Sequence, residues 1–155
     1  MERKNRKKAA VWIKTALGGT AVCGVLLNLG VFPIMGSEFV RRNPLYAHAY
    51  WPWILFLWLT AVPAFAGTCF SWRAADAIGR GTFFTESCAA LLRKISAVWT
   101  VSTALMLVGN IILLAVGMSH LCVLVFFLVL CFADMAAAIF FGWLASVAAR
   151  GAVNE

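Results

Sequence analysis

The sequence predicts an all-α, polytopic membrane protein in which four transmembrane helices form a bundle, with an amphipathic cytoplasmic helix between spans two and three. The first observation behind this prediction is composition. Of the 155 residues, 63% are hydrophobic and 12% are charged, whereas soluble domains carry about a quarter charged residues. The second is the length of the apolar runs, each of which reaches the ~20 residues that a helix needs to cross a bilayer. We interpret residues 1–155 as a single membrane domain with spans at about 15–35, 51–72, 96–118 and 121–147, and an inner loop at 73–95.

The first span follows a strongly basic segment, since six of the thirteen Lys and Arg residues lie in the first fourteen positions. Its apolar run is long for the hydrophobic region of a signal peptide, and no clear small-x-small cleavage site precedes the polar loop, so we expect a retained span. Small and polar residues recur every four positions within it, and we expect this stripe to face the bundle interior. The stripe consists of Ala16, Thr20, Gly24 and Asn28.

The distribution of Lys and Arg predicts the orientation of the spans. With the N-terminus inside, eleven of the basic residues fall in inner segments and only Arg41 and Arg42 fall in outer ones. Such a bias is typical of cytoplasmic segments, so we expect both termini in the cytoplasm. The same distribution argues against direct nucleic-acid binding and indicates that the basic N-terminus touches the anionic headgroups of the lipid bilayer.

The outer segments are short. Ser37–Tyr50 forms the first and is broken by Pro44, while Ser119 and His120 mark a very tight second turn. A connection as short as this second turn makes spans three and four antiparallel neighbours.

The inner loop carries the signals of one helix ending and another beginning. Gly79 and Gly81 are expected to end an extension of the second helix. Thr85 is a suitable N-cap for the next helix, and Glu86 in the following turn suits the helix dipole.

The helix that begins at Thr85 has one apolar face. Arg93 and Lys94 lie off that face, where they can meet lipid phosphate. We therefore expect this segment to lie along the inner membrane surface before turning into span three. The residues of the apolar face are Phe84, Cys88, Leu91, Leu92 and Ile95, at helical spacing.

The loop sequence IGRGTFFTESCAALLRKI resembles the signature of a bacterial family of small four-span membrane proteins, called domain of unknown function 2975. The resemblance covers roughly residues 45 to 150 and includes Pro63 inside the second span. It implies no established enzymatic activity. Genes of the family often lie beside a small helix-turn-helix regulator of the Xre type, which implies, by association, a membrane partner for a DNA-binding protein. The residues that match the signature are Gly81, Phe84, Thr85, Leu92 and Ile95.

The fourth span contains one ionisable residue, Asp134, in the stretch CFADMAAAIFF. Insertion of a charged residue at mid-bilayer costs about 2.5–3.5 kcal/mol of free energy on insertion scales, so Asp134 is expected to have a structural or functional role. One interpretation is a proton or cation site or a ligand contact. The other is a neutral acid that is hydrogen-bonded to a neighbouring helix.

Two polar residues of other spans, Asn28 and Asn110, are candidate partners for Asp134. We predict that the three form an intramembrane polar cluster. A second stripe, in span three, repeats every seven positions, and we expect it to face Asp134, Ala137 and Ala138 across the bundle interior. This stripe consists of Ser96, Thr103, Asn110 and Gly117.

The sequence contains no constellation that indicates catalysis. Both histidines are expected outside and far from the five cysteines, none of which forms a CxxC pair, so we predict neither a metal site nor a disulfide framework. Gly79-Arg80-Gly81 lacks the Gly-Lys-Ser/Thr ending of a phosphate loop. We therefore expect no enzyme activity and no cofactor.

Two functional hypotheses follow. In the first, the bundle is an anchor or sensor in the bacterial cytoplasmic membrane, and its inner loop holds a cytosolic partner such as a helix-turn-helix transcription regulator. In the second, it is a subunit of a transporter or channel for a small solute, protons or cations that uses Asp134, and this requires a homo-oligomer because four spans are few for a monomeric transporter. The candidate partner-binding residues of the first hypothesis are Arg80, Gly81, Phe84, Thr85, Glu86, Leu92, Arg93 and Lys94.

Overall fold

The computed structural model describes residues 2–119 and 121–153, and the regular elements in this part of the chain are helices. Four of its segments are long and apolar enough to cross a membrane: Lys4–Arg42, Pro44–Arg80, Glu86–Ala115 and Phe127–Val153. The prediction of an all-α protein with four spans is confirmed, and the chain is a multi-pass membrane protein. The helical elements are α1 (Glu2–Leu26), a π-helical turn (Leu27–Val31), α2 (Phe32–Arg42), a 3-10 helix (Pro44–Ala49), α3 (Tyr50–Arg80), α4 (Glu86–Ala115) and α5 (Leu121–Val153).

Large apolar side chains cover the outside of these helices. In a soluble protein so many exposed aliphatic groups would oppose solubility, but in a bilayer they face hydrocarbon and the polar backbone is satisfied within each helix. The fold is therefore built for lipid as its solvent. Leu29, Ile34, Val62, Val129 and Ile139 are each more than 60% exposed.

The four spans pack in the order in which they occur along the chain. α1 packs against α3, α3 against α4, and α4 against α5, and the last of these contacts is the most extensive. Among the described residues no close backbone approach joins α1 to α4 or α5. The bundle is thus open along the side of α1, which in this part of the chain has α3 as its one long-helix neighbour.

Small residues allow α4 to approach both α3 and α5 closely in the half of the bundle near the inner loop. Close approach of backbones is the usual basis of helix association in lipid, where no hydrophobic driving force acts between helices. The fully or nearly buried side chains of this core are Ala74, Ala77, Cys88, Ala89, Leu92, Ile95, Ala145 and Ala148. A second core, at the opposite end, is mainly aromatic. It consists of Phe56, Phe127 and Leu113, and Trp53 packs against them.

Two helices end in the same way. Gly81 has φ 79°, and the N–H groups of Gly81 and Thr82 donate to the carbonyls of Ile78 (3.1 Å) and Ala77 (2.9 Å). Gly117, with φ 70°, closes α4 by the matching pair of bonds to Leu114 and Leu113. Both are Schellman motifs, in which a left-handed residue at the helix end is tolerated best when it is glycine. The predicted role of Gly81 is confirmed. The tight turn predicted at Ser119 and His120 begins at Gly117, and His120 lies outside the described residues.

The predicted inner loop is mostly helical. α3 continues to Arg80 and α4 begins at Glu86, so only residues 81–85 separate the two helices. The prediction of a separate amphipathic helix along the membrane surface is wrong, because α4 is continuous from Glu86 to Ala115. The physical reason is that the apolar face of Cys88, Leu92 and Ile95 packs into the core against α3 and α5 rather than on lipid. The first outer segment is likewise helical, in α2 and the 3-10 helix.

Candidate functional site

The turn Gly81–Thr85 is the centre of one end of the molecule. We call this end the basic end and define it by that turn, the start of α1, the last turns of α3 and α5 and the first turns of α4. Thr85 caps α4, as predicted: its Oγ1 accepts from the N–H of Cys88 (3.3 Å) and donates to the carbonyl of Thr82 (2.8 Å). With the Schellman motif at Gly81, every residue of the turn except Phe83 and Phe84 has its position set by a backbone or hydroxyl hydrogen bond.

The two phenylalanines of the turn pack on each other and on the end of α5. The rings of Phe83 and Phe84 lie edge to face with their centroids 5.2 Å apart. Phe84 lies so close to Gly151 that a methyl group at position 151 would overlap its ring. Even so, 46% of Phe84 stays exposed. An aromatic side chain is thus held in place at the surface of the basic end.

The start of α1 lies along the last turns of α3. Arg6 lies beside Gly81, and Ala10 is buried against Gly79, where a Cβ would meet the Ala10 methyl group at 3.0 Å. Further along, Lys14 forms an ion pair with Asp76 and lies 5.3 Å from the ring centroid of Trp72. The basic N-terminus, which we expected only to touch headgroups, is therefore also packed against α3.

The remaining cationic side chains of the basic end point outward. Glu86 is an exposed carboxylate among them, and Asp76 is paired with Lys14. The surface around Phe84 is consequently positive, with few carboxylates to offset it in the described residues. The exposed cations are Lys4, Lys7, Lys8, Arg73, Arg80, Arg93, Lys94 and Arg150.

Asp134 lies half-buried between α5 and α4. The hydroxyl of Ser102, which is fully buried, donates to Oδ2 of Asp134 at 2.8 Å. Two further contacts join the same helices: Ser96 Oγ donates to the carbonyl of Ala138 (2.7 Å), and Cys131 Sγ lies 3.9 Å from the carbonyl of Thr103. The span-three stripe therefore faces α5 at Ser96 and Thr103, as predicted, but the partner of Asp134 is Ser102, one position away from that stripe.

The predicted cluster of Asp134, Asn28 and Asn110 does not form. Asn28 is in the π-helical turn, and its Nδ2 donates to the carbonyl of Gly24, while Asn110 Nδ2 donates to the carbonyl of Met106 (3.1 Å). Asn110 is 1% exposed, and its Oδ1 has no partner among the described residues. The reason is geometric: in the described residues neither α1 nor the π-helical turn has a close backbone approach to α4 or α5, and Asn110 lies eight residues, about 12 Å along the helix, from Ser102.

The predicted stripe on α1 is correct only toward its end. Gly24 and Asn28 are half-buried toward α3, with Gly24 close to the ring of Phe65, but Ala16 and Thr20 are exposed. The contact face of α1 instead includes Lys14 and Gly18. The sequence signal for this face was a pair of opposite charges, Lys14 and Asp76, which both lie near the inner ends of the first two spans.

The comparison with known families agrees with this architecture. The family described as "Protein of unknown function (DUF2975)" matches residues 34–153, from α2 to the end of α5. The chain belongs to this family. No curated protein and no solved structure matches it. The DUF2975 region includes the turn Gly81–Thr85, the contact of Phe84 with Gly151 and the Ser102–Asp134 hydrogen bond, whereas α1 precedes it.

Proposed function

We propose that this DUF2975 protein is a membrane anchor or sensor without enzymatic activity, which holds a cytosolic partner at its basic end. The partner class that we propose is a small helix-turn-helix transcription regulator with an acidic docking surface. The observation that carries this proposal is the ordered, exposed aromatic ring of Phe84 within a positively charged surface. Aromatic residues, phenylalanine included, and arginine are enriched at protein–protein interfaces relative to the rest of the surface.

The proposed location is the bacterial cytoplasmic membrane, with both termini in the cytoplasm. The support is the distribution of charge over the two ends of the helices. Eleven Lys and Arg residues belong to the two terminal segments, the last turns of α3 and the first turns of α4, and only Arg41 and Arg42 belong to the other end. Because positively charged segments are retained on the cytoplasmic side, this asymmetry directs the basic end to the cytosol.

The rigidity of the turn Gly81–Thr85 supports a docking role over simple lipid contact. Headgroups are bound adequately by flexible Lys and Arg side chains near the membrane surface. A turn with two hydrogen-bonded ends and an aromatic ring wedged against Gly151 provides a fixed shape, which a protein partner can match.

Asp134 gives less support to a transporter or channel. A polar path across the bundle needs several polar side chains at successive depths. Asp134 accepts a hydrogen bond from Ser102, and the side-chain amides of Asn28 and Asn110 donate to carbonyls one helical turn earlier in the chain. We therefore propose a structural role for Asp134 and a binding role for the basic end.

The proposal is tested by capture of cytosolic proteins on purified protein in nanodiscs of neutral phosphatidylcholine, with crosslinking and identification by mass spectrometry. We expect a small helix-turn-helix regulator to be captured. The variant Arg80→Gln/Arg93→Gln/Lys94→Gln should capture about tenfold less, since complementary charges steer association and stabilise the complex. The matched control is Arg41→Gln/Arg42→Gln, which changes the opposite end and should leave capture unchanged.

Three results would overturn the proposal. The first is the absence of any crosslinked cytosolic protein, and the second is equal capture by the two charge variants. In the third, association depends only on anionic lipid in the nanodisc and not on cytosol, which would assign the basic end to headgroups.

A further inference from the structure

A cavity of about 700 Å³ lies at the end of the bundle opposite the basic end. Its walls are the π-helical turn and α2 on one side, α3 on another, and side chains of α4 and α5 behind. Its volume is within the range of about 300–1,000 Å³ that is typical of small-molecule sites. Residues that define its walls include Leu27, Met35, Phe39, Tyr50, Ala61 and Met106.

The wall formed by the π-helical turn is held by an uncommon arrangement of backbone groups. The N–H of Phe32 donates to the carbonyl of Leu27, which is the π-type register. In that register the carbonyl of Asn28 would be reached by residue 33, but Pro33 has no N–H. The indole N–H of Trp58 donates to this carbonyl instead, at 3.2 Å. π-helical turns inside membrane or soluble helices often mark functional sites.

A second hydrogen bond fixes the same wall further along. Tyr50 Oη donates to the carbonyl of Pro33 at 3.3 Å, and the Tyr50 ring lies against Gly36, where a Cβ would be 3.0 Å away. The cavity is therefore bounded by backbone that is tied to α3 at two positions. It is a preformed space between helices, and its lining is almost entirely aliphatic and aromatic.

Two arginines directly follow one wall of the cavity in the sequence, and the polar residues of its lining include Asn28 and Thr60. Phe39 and Val40 line the wall, and Arg41 and Arg42 follow them directly in the last turn of α2. Both arginines pair with the single carboxylate of Glu38, by Arg41 Nη2 (2.7 Å) and Arg42 Nε (2.9 Å). Two cations on one carboxylate leave an unbalanced positive charge. The buried hydroxyl of Ser119 also lines the cavity and has no partner among the described residues.

We propose that the cavity binds a long-chain carboxylate of the fatty-acid class. The hydrocarbon chain lies along the apolar walls, and the carboxylate meets Arg41 and Arg42 at the end of α2. Guanidinium groups form strong charge-assisted hydrogen bonds to carboxylates. This site is separate from the basic end, and its occupancy is measured without any cytosolic partner, so failure of either proposal leaves the other standing.

The first test maps the site in the unaltered protein. A palmitate that carries a diazirine is photo-crosslinked to the protein in phosphatidylcholine nanodiscs, and labelled positions are identified by mass spectrometry. We expect labels on cavity residues that are not outward-facing, such as Ile54, Leu57 and Met106. Labels spread equally over outward-facing residues such as Val129 and Ile139 would overturn the proposal.

The second test fills the cavity. Ala61→Phe places a ring in the cavity, while the control Val62→Phe adds the same ring on a neighbouring residue that is 64% exposed. We expect labelling to fall about tenfold or more in Ala61→Phe, because the added ring displaces methylene groups of the ligand from the apolar walls and their burial is lost. Circular dichroism and gel filtration verify folding of both variants. Equal labelling of the two would overturn the proposal.

The third test addresses the headgroup. Palmitate and its methyl ester compete for the labelled site, and the acid should compete about tenfold better, in keeping with a charge-assisted bond. Arg41→Gln/Arg42→Gln should abolish this preference, and Arg93→Gln/Lys94→Gln at the basic end should keep it. An ester that competes as well as the acid with the unaltered protein, or a preference that survives loss of both arginines, would overturn the assignment of a carboxylate.

Discussion

The hydroxyl of Ser102 donates a hydrogen bond of 2.8 Å to the carboxyl group of Asp134 and joins α4 to α5 inside the bilayer. Ser102 is fully buried and Asp134 is half-buried, so in hydrocarbon each is the other's best available partner. The bond belongs to the most extensive helix interface of the molecule. It gives an acid in an otherwise apolar span a hydrogen-bond partner, in keeping with the structural role proposed above.

We predict that the two side chains are energetically coupled. A double-mutant cycle of Ser102→Ala and Asp134→Leu should give a coupling free energy of about 0.6 kcal/mol and at most about 1.7 kcal/mol, the range measured for such bonds in membrane proteins. The measurement is unfolding in detergent. A parallel cycle with Thr100→Ala, whose hydroxyl bonds within α4, should show no coupling. Unchanged thermal stability in Asp134→Leu would contradict an interior contact.

Gly109 of α4 lies directly against the ring of Phe56 of α3. A methyl group at position 109 would overlap the ring of Phe56, which is nearly buried among Trp53, Leu113 and Phe127 and cannot move freely. We predict that Gly109→Ala lowers the free energy of unfolding by about 1–3 kcal/mol, as overpacking does. Gly19→Ala is the matched control, since its Cβ would meet nothing within 4 Å. That variant should be neutral or gain up to about 1 kcal/mol of helix propensity.

The N-cap of α4 should contribute measurably to stability. Thr85→Ala removes the acceptor of the Cys88 N–H, and we expect a loss of about 1 kcal/mol. Thr85→Ser keeps the hydroxyl and should retain most of the stability. If thermal unfolding in detergent gave the same midpoint for the alanine and serine variants, the cap would have no energetic role.

Trp58 and Pro33 form a pair that can be tested by rescue. Trp58→Phe leaves the Asn28 carbonyl without its donor, and we expect a cost of about 1–3 kcal/mol for an unsatisfied group away from water. Adding Pro33→Ala supplies a backbone N–H that can reach this carbonyl, so the double variant should recover part of the loss. Stability is compared by unfolding in detergent. A double variant less stable than Trp58→Phe alone would contradict this account of the π-helical turn.

Much of the fold follows from local sequence. The four apolar runs, the helix end at Gly81 and the cap at Thr85 were predictable because length, glycine at a left-handed position and side-chain capping act within a few residues. The continuous α4 was not predicted, since whether Cys88, Leu92 and Ile95 face lipid or a neighbouring helix depends on tertiary packing. Amphipathic periodicity is the same in both cases.

The hydrogen-bond partner of Asp134 could not be predicted from the sequence, for a related reason. A repeat of seven placed Ser96 and Thr103 on the correct interface, but the relative rotation and depth of two helices decide which hydroxyl meets the acid. The sequence does contain one indication of the π-helical turn, Pro33. It has no backbone N–H, so it cannot donate to a carbonyl of the preceding turn. The cavity is lined in part by that turn, and no local sequence pattern predicts it.

Helix α1 joins the cavity to the basic end. It is unbroken from Glu2 to Leu26, so its 25 residues form a rod about 37 Å long. One end of the rod continues into the cavity wall, and the other carries Arg6 beside Gly81. Because α1 rests on α3 and not on α4 or α5 in the described residues, its tilt is restrained from one side only. Contacts at Ala10, Lys14, Gly18 and Gly24 hold α1 against α3 along most of its length, so this single helix pair connects the cavity wall with the cations of the basic end.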